Sequence, residues 1–161
     1  MDADSCRESL ATLLSQEASS LDELAVLLDR EHGLLVANDV NTLGQAMEER
    51  QVTIGRLLRI EDERRALCRM HGKETNTGGL EKLLAWCDPY GTLKGRWADC
   101  AKGATRCRDL NDKNGALVNA RMKRVQNVLG VLTGKTAESP TYGPKGAYSM
   151  PRAGNVVTTE A

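Results

Sequence analysis

The side chains in this chain that could do chemistry are few and scattered. The five cysteines, Cys6, Cys68, Cys87, Cys100 and Cys107, are odd in number, and no two have CxxC spacing. Cys100 and Cys107 stand seven positions apart. On a helix that is about 10 Å along the axis, too far for a disulfide. They read as reduced thiols in a reducing compartment. The only histidines are His32 and His71. They are expected near the ends of the first and second helices, where the helix dipole favours a cation. An up-down hairpin puts those two ends far apart, so the pair is not expected to hold a metal. The glycine loops Gly78-Gly79 and Gly143-Pro144-Lys145-Gly146 follow no strand and lack the GxxxxGK[ST] spacing of a phosphate loop. Glu61, Asp62 and Glu63 adjoin Arg64 and Arg65, which reads as a solvated helix face rather than an acid–base pair. Arg106, Arg108, Lys113, Arg121, Lys123 and Arg124 form a basic cluster without interleaved aromatics to stack bases. No catalytic constellation, metal site or cofactor site emerges. Enzymatic activity, a small-molecule substrate and nucleic-acid binding are therefore not expected.

The elements that would carry these residues are helical. Aromatics make up 3% of the 161 residues and Phe is absent, which argues against an all-β core. Leucine dominates the apolar set, and Leu, Ala, Glu, Arg and Gln favour helices. The formal charges balance, 22 basic against 22 acidic, so bulk charge gives no reason to expect an anionic partner. Met1 to Glu8 is polar with no apolar stretch after it, and no run of about 18 apolar residues occurs. The expectation is a cytoplasmic protein without membrane insertion.

Four helices and a tail can be traced. In the first, roughly 4–36, Leu14, Leu21, Leu28 and Leu35 repeat every seven residues, widened by Leu10, Leu13, Leu24, Leu27 and Leu34. Asn38, Asp39 and Asn41 break the pattern and can cap. The second helix, about 40–71, has an apolar face of Val40, Leu43, Met47, Ile54, Leu57, Leu58, Leu67 and Cys68. Thr75 to Gly79 reads as a loop, and Leu80 to Cys87 as a short third helix. Asp88-Pro89-Tyr90-Gly91 is a turn. The fourth helix, about 92–132 and roughly 60 Å long, has a seam of Leu93, Trp97, Cys100, Ala104, Cys107, Asn111, Asn114, Val118, Arg121, Val125, Val128 and Leu132. Gly134 reads as its C-cap. From Lys135 on, Pro140, Pro144 and Pro151 and several glycines break any helix. The expected fold class is all-α: an elongated antiparallel helical hairpin or bundle of three long helices and one short one. Residues 1–134 would form the helical domain and 135–161 a flexible tail.

The most informative local feature is Leu110-Asn111-Asp112-Lys113-Asn114-Gly115. It puts two asparagines on the seam and a glycine in mid-helix, which costs about 1 kcal/mol relative to Ala. Seam asparagines set register. Alternatively, the small side chains leave a groove for a partner helix.

The stretch DLNDKNGALVNARMKRVQNVLGVLTG, Asp109 to Gly134, followed by TYGPKG, Thr141 to Gly146, resembles the C-terminal signature of the FlgN flagellar chaperones. The matching residues are Asn111, Asn114, Gly115, Leu117, Val118, Gln126, Leu129, Gly130, Tyr142 and Gly143, and LLVANDVNTLGQAMEER in the first hairpin is also similar. The resemblance implies a non-enzymatic chaperone without cofactors. It would bind the C-terminal helical segments of the hook–filament junction proteins FlgK and FlgL in the cytosol and deliver them to the export gate protein FlhA. Carried over to this sequence, the substrate would meet Asn111, Asn114, Gly115, Leu117, Val118, Arg121, Val125, Leu129 and Leu132. Tyr142 would dock to the gate, with Tyr148 a second tyrosine close by. A generic coiled-coil adaptor is the other class of protein these helices suit.

Overall fold

The computed structural model describes residues 2–134. Four helices follow one another: α1 Ala3–Ala37, α2 Val40–Met70, α3 Thr77–Cys87 and α4 Lys94–Thr133. Among the described residues there is no strand. The chain divides into two compact units, residues 1–120 and 121–161. The first holds α1 to α3 and most of α4; the described part of the second is the last stretch of α4.

The Asp2 carboxylate accepts the Ser5 N–H and starts α1. Leu14, Leu21, Leu28 and Leu35 are all buried, as the seven-residue repeat predicts. Asn38 ends the helix in the left-handed conformation, φ 59°, which asparagine tolerates better than most side chains. One residue later Asp39 accepts from the Thr42 N–H and hydroxyl, at 3.1 and 2.7 Å, and caps α2. Two cap residues thus turn the chain back on itself.

Side-chain pairs between α1 and α2 show the antiparallel sense. Arg30 meets Glu49 and Glu31 meets Arg50, then Glu23 meets Arg56, then Glu17 meets Arg64. The buried line of α2 is Ala46, Thr53, Ile60 and Leu67, again every seventh residue. This differs from the expected face, since Val40, Met47 and Leu58 are exposed. Arg50, between Ala46 and Thr53, reaches Glu31, and Arg64, between Ile60 and Leu67, reaches Glu17. Thr53 satisfies its hydroxyl on Glu23 and on the Glu49 carbonyl.

α3 begins three residues earlier than expected, because the Asn76 side chain accepts the Gly79 N–H at 2.8 Å and caps the helix at Thr77. Gly79 has no space for a side chain: a Cβ there would lie 1.8 Å from the Glu74 carbonyl oxygen. Buried Asp88 then organises the turn into α4. Its carboxylate accepts from the Thr92 N–H and hydroxyl and from the Leu93 N–H. Burial alone would raise the Asp88 pKa, but these hydrogen bonds outweigh it and hold the carboxyl below its ordinary range. One core joins Cys6, Leu10, Leu14, Cys68, Leu83 and Cys87 with Leu93, Cys100 and Cys107.

Two predictions follow from this packing. Gly79→Ala should destabilise the protein by about 1–3 kcal/mol through the clash. Gly78→Ala, with its nearest neighbour at 3.5 Å, should be neutral or stabilising by up to ~1 kcal/mol; urea unfolding of both variants checks the contrast. The second concerns Glu31, which is 3% exposed. It pairs with Arg50 at 3.0 Å, but its Oε1 and the Arg50 Nε make no hydrogen bond. Desolvation outweighs the Arg50 attraction and raises the Glu31 pKa. The folded chain therefore keeps this proton to higher pH than the unfolded one. That stability is full below the ordinary value of about 4.3 and is lost as pH rises through the folded pKa. Glu31→Gln should remove that loss and leave stability at pH 7 unchanged or higher. Arg50→Met should cost about 3–5 kcal/mol at pH 7. Unfolding curves from pH 4.5 to 8 read both.

Candidate functional site

Within residues 1–120, α4 lies parallel to α1. The Cys100 thiol donates to the Leu14 carbonyl at 3.3 Å, the Cys107 thiol to the Leu21 carbonyl at 3.2 Å, and the Asn114 Nδ2 to the Leu28 carbonyl at 2.9 Å. Each pair is 86 residues apart, so the three contacts are one register repeated every two turns. The α1 carbonyls use their second lone pair for these bonds. Burial raises the Cys100 pKa to about 11 and also raises that of Cys107, so both thiols keep the proton they donate. Cys6, likewise buried, is pushed up to about 12. All five cysteines are free and buried.

Asn114 is the strongest link of the three. It is 5% exposed, and besides the Leu28 bond its Oδ1 lies 2.9 Å from His32 Nδ1. Because Nδ2 donates to Leu28, Oδ1 must accept, which assigns the proton of His32 to Nδ1. Both ends of the Asn114 amide are thus engaged inside the bundle. Asn111, by contrast, is exposed. Gly103 and Leu110, between these contacts, and Leu117, just beyond Asn114, are half-buried, while Ala104, Asn111 and Val118 are exposed. The seam is therefore one residue earlier at these points than its expected course. Gly103 allows the close approach, since a Cβ there would touch the Leu21 side chain at 3.2 Å. Gly115 faces open space.

The remaining candidate residues lie in the second unit. Val125, Leu129 and Leu132 on α4 are 51, 53 and 75% exposed. Met122 joins their row by the same alternation of three and four, and it too is exposed. The seam expected from sequence passes through Arg121 rather than Met122, which leaves Met122 out. Arg121 is half-buried. The expected gate-docking Tyr142, and Tyr148, lie outside the described residues.

His32 and His71 sit in separate surroundings. His32 joins Asn114, while His71, the C-cap of α2, packs its ring on Trp86 at 4.7 Å. Among the described residues no group of three or more His, Cys, Asp or Glu side chains could hold a metal ion. No helix among them is long and apolar enough to cross a membrane.

The family model described as FlgN protein matches residues 1–150. The chain belongs to the FlgN family. The flagella synthesis protein FlgN of Salmonella typhimurium is 28% identical over 148 residues, covering 90% of this chain and 94% of that protein. The FlgN protein of Salmonella typhi matches to the same extent. No solved structure matches the chain.

The two asparagines of this FlgN-family chain can be told apart by experiment. Asn114→Ala removes two hydrogen bonds and should lower stability by about 1–3 kcal/mol. Asn111→Ala, on the exposed side, should stay within about 0.5 kcal/mol of the parent. Thermal and urea unfolding of the two variants decide it.

Proposed function

We propose that this FlgN-family protein is a cytosolic type III export chaperone. It binds the C-terminal helical segments of the flagellar junction proteins FlgK and FlgL, prevents their premature assembly, and delivers them to the export gate protein FlhA. Family membership supports a flagellar chaperone role, and the relatives are named for flagella synthesis. The observation that carries the reading is the row Met122, Val125, Leu129 and Leu132, exposed on α4 at alternating steps of three and four. That spacing is one face of a helix, and it suits recognition of another amphipathic helix.

The energetics fit a complex that must release its cargo. Covering four such half-exposed side chains contributes roughly 4–8 kcal/mol, and ordering a flexible cargo segment costs about 2–5 kcal/mol. Leu117 and Val118, one turn earlier, are the further expected contacts. In this reading the tail acts after binding, with Tyr142 as an aromatic anchor for the gate.

Val125→Asp and Leu129→Asp should each weaken binding of the FlgK and FlgL C-terminal segments by at least about tenfold. Their melting temperatures should be unchanged, because neither side chain is buried. Retained affinity would place the cargo site elsewhere. Tyr142→Ala should leave cargo affinity within a few-fold, under about 1 kcal/mol, while weakening binding to the FlhA cytosolic domain. Paired titrations against both partners separate gate docking from cargo binding.

A further inference from the structure

The balanced overall charge conceals a strong asymmetry. Up to Asp112 the chain carries 15 basic and 20 acidic residues; from Lys113 onward it carries 7 basic and only 2 acidic. Between Lys113 and Gly134 there is no Asp or Glu at all, against the cations Lys113, Arg121, Lys123 and Arg124. The exposed apolar row of α4 therefore lies in an all-positive stretch.

The charges are not spread evenly around the helix. At 100° per residue, Arg124 falls on one edge of the row through Val125, Leu129 and Leu132, whereas Gln126 falls on the other. Lys123 projects from the far side. Arg124 is exposed and makes no ion pair among the described residues. A helix covering the apolar row thus meets the Arg124 guanidinium, set between the exposed Val128 and Val131, on one side and the Gln126 amide on the other.

We propose that this surface selects an amphipathic helix whose apolar stripe is flanked along one edge by acidic residues. The inference rests on the cargo reading of α4 and names the chemistry of the cargo. The apolar row supplies contact area, and the cationic edge speeds encounter and disfavours helices with basic flanks. Such attraction between exposed charges weakens with salt, because screening acts over about 8–10 Å.

The test uses the full chain and three synthetic helical peptides with one apolar stripe and Glu, Gln or Lys along its edge. Affinities are measured at 50 and 300 mM NaCl. The Glu peptide should bind at least about tenfold tighter than the Lys peptide at low salt and lose most of that advantage at high salt. Arg124→Glu, an exposed change, should narrow or reverse the preference. Equal affinities for all three peptides, abolished together by Val125→Asp, would overturn the charge selection while leaving the cargo site in place. If no peptide binds, and Val125→Asp also leaves binding of the FlgK and FlgL segments intact, the cargo reading itself fails. A chain ending at Gly134 that binds all three more tightly, with no preference among them, would assign the surface to the protein's own C-terminal segment and overturn the proposal.

Discussion

The repeated register between α1 and α4 is the constraint on which the rest depends. Three donors on α4, two thiols and an amide, reach carbonyls on α1 at a constant separation of 86 residues. A slip of either helix by one residue would break all three at once and drive Asn114 against the leucine row without partners. The two thiol bonds are weak, so most of the penalty for slipping falls on Asn114 and His32. Leucine at these positions would bury more area but would hold the helices further apart, and even a Cβ at position 103 would press on the Leu21 side chain at 3.2 Å. Close approach and fixed register come from the same choice of small side chains.

The opposite side of α1 solves a different problem. There the interface with α2 mixes apolar positions with charged ones, and the ion pairs of Glu17, Glu23, Glu31 and Arg30 run its length. The exposed pairs among them, Arg30–Glu49 and Glu23–Arg56, add little stability. Glu31 and Arg50 are more deeply placed, and the unpaired Oε1 and Nε show that the desolvation cost is not fully met. Their value is directional, since only the antiparallel alignment brings each carboxylate to an arginine. Arg64 also sits over the Trp97 ring, 5.6 Å from its centroid, which ties α2 to α4 within the first unit.

Much of this was legible in the residues. The leucine row of α1 is apolar, long and regular, and all four heptad leucines are buried. The breaks at Asn38 and Asp88 fell where capping chemistry put them, and Gly134 adopts the positive φ, 65°, expected of a C-cap. The residues whose roles the pattern does not show are polar or small. Thr53 is wholly buried because its hydroxyl has partners, which a hydropathy pattern cannot reveal. The glycines at 78 and 79 looked like a loop, yet they form the first turn of α3, because Asn76 supplies the cap and Gly79 the clearance. The seam of α4 moved by one residue at Gly103 because backbone approach, not side-chain size, decides which position faces α1. Of the candidate cargo residues, Val118, Val125 and Leu132 lie on the seam read from spacing, whereas Leu117 and Leu129 come only with the family resemblance. The engagement of Asn114 needed the third dimension, since its partners, Leu28 and His32, belong to another helix.

The division of α4 into a stretch used for packing and a stretch with uncovered apolar side chains is the central claim. Hydrogen exchange of the full chain, alone and with the FlgK C-terminal segment, tests it directly. The account predicts slow exchange at Cys100, Cys107 and Asn114 in the free protein, unchanged on binding, and new protection confined to residues 118–133. New protection along α1 and α2 with none in 118–133, or loss of protection around Asn114 when cargo binds, would contradict it.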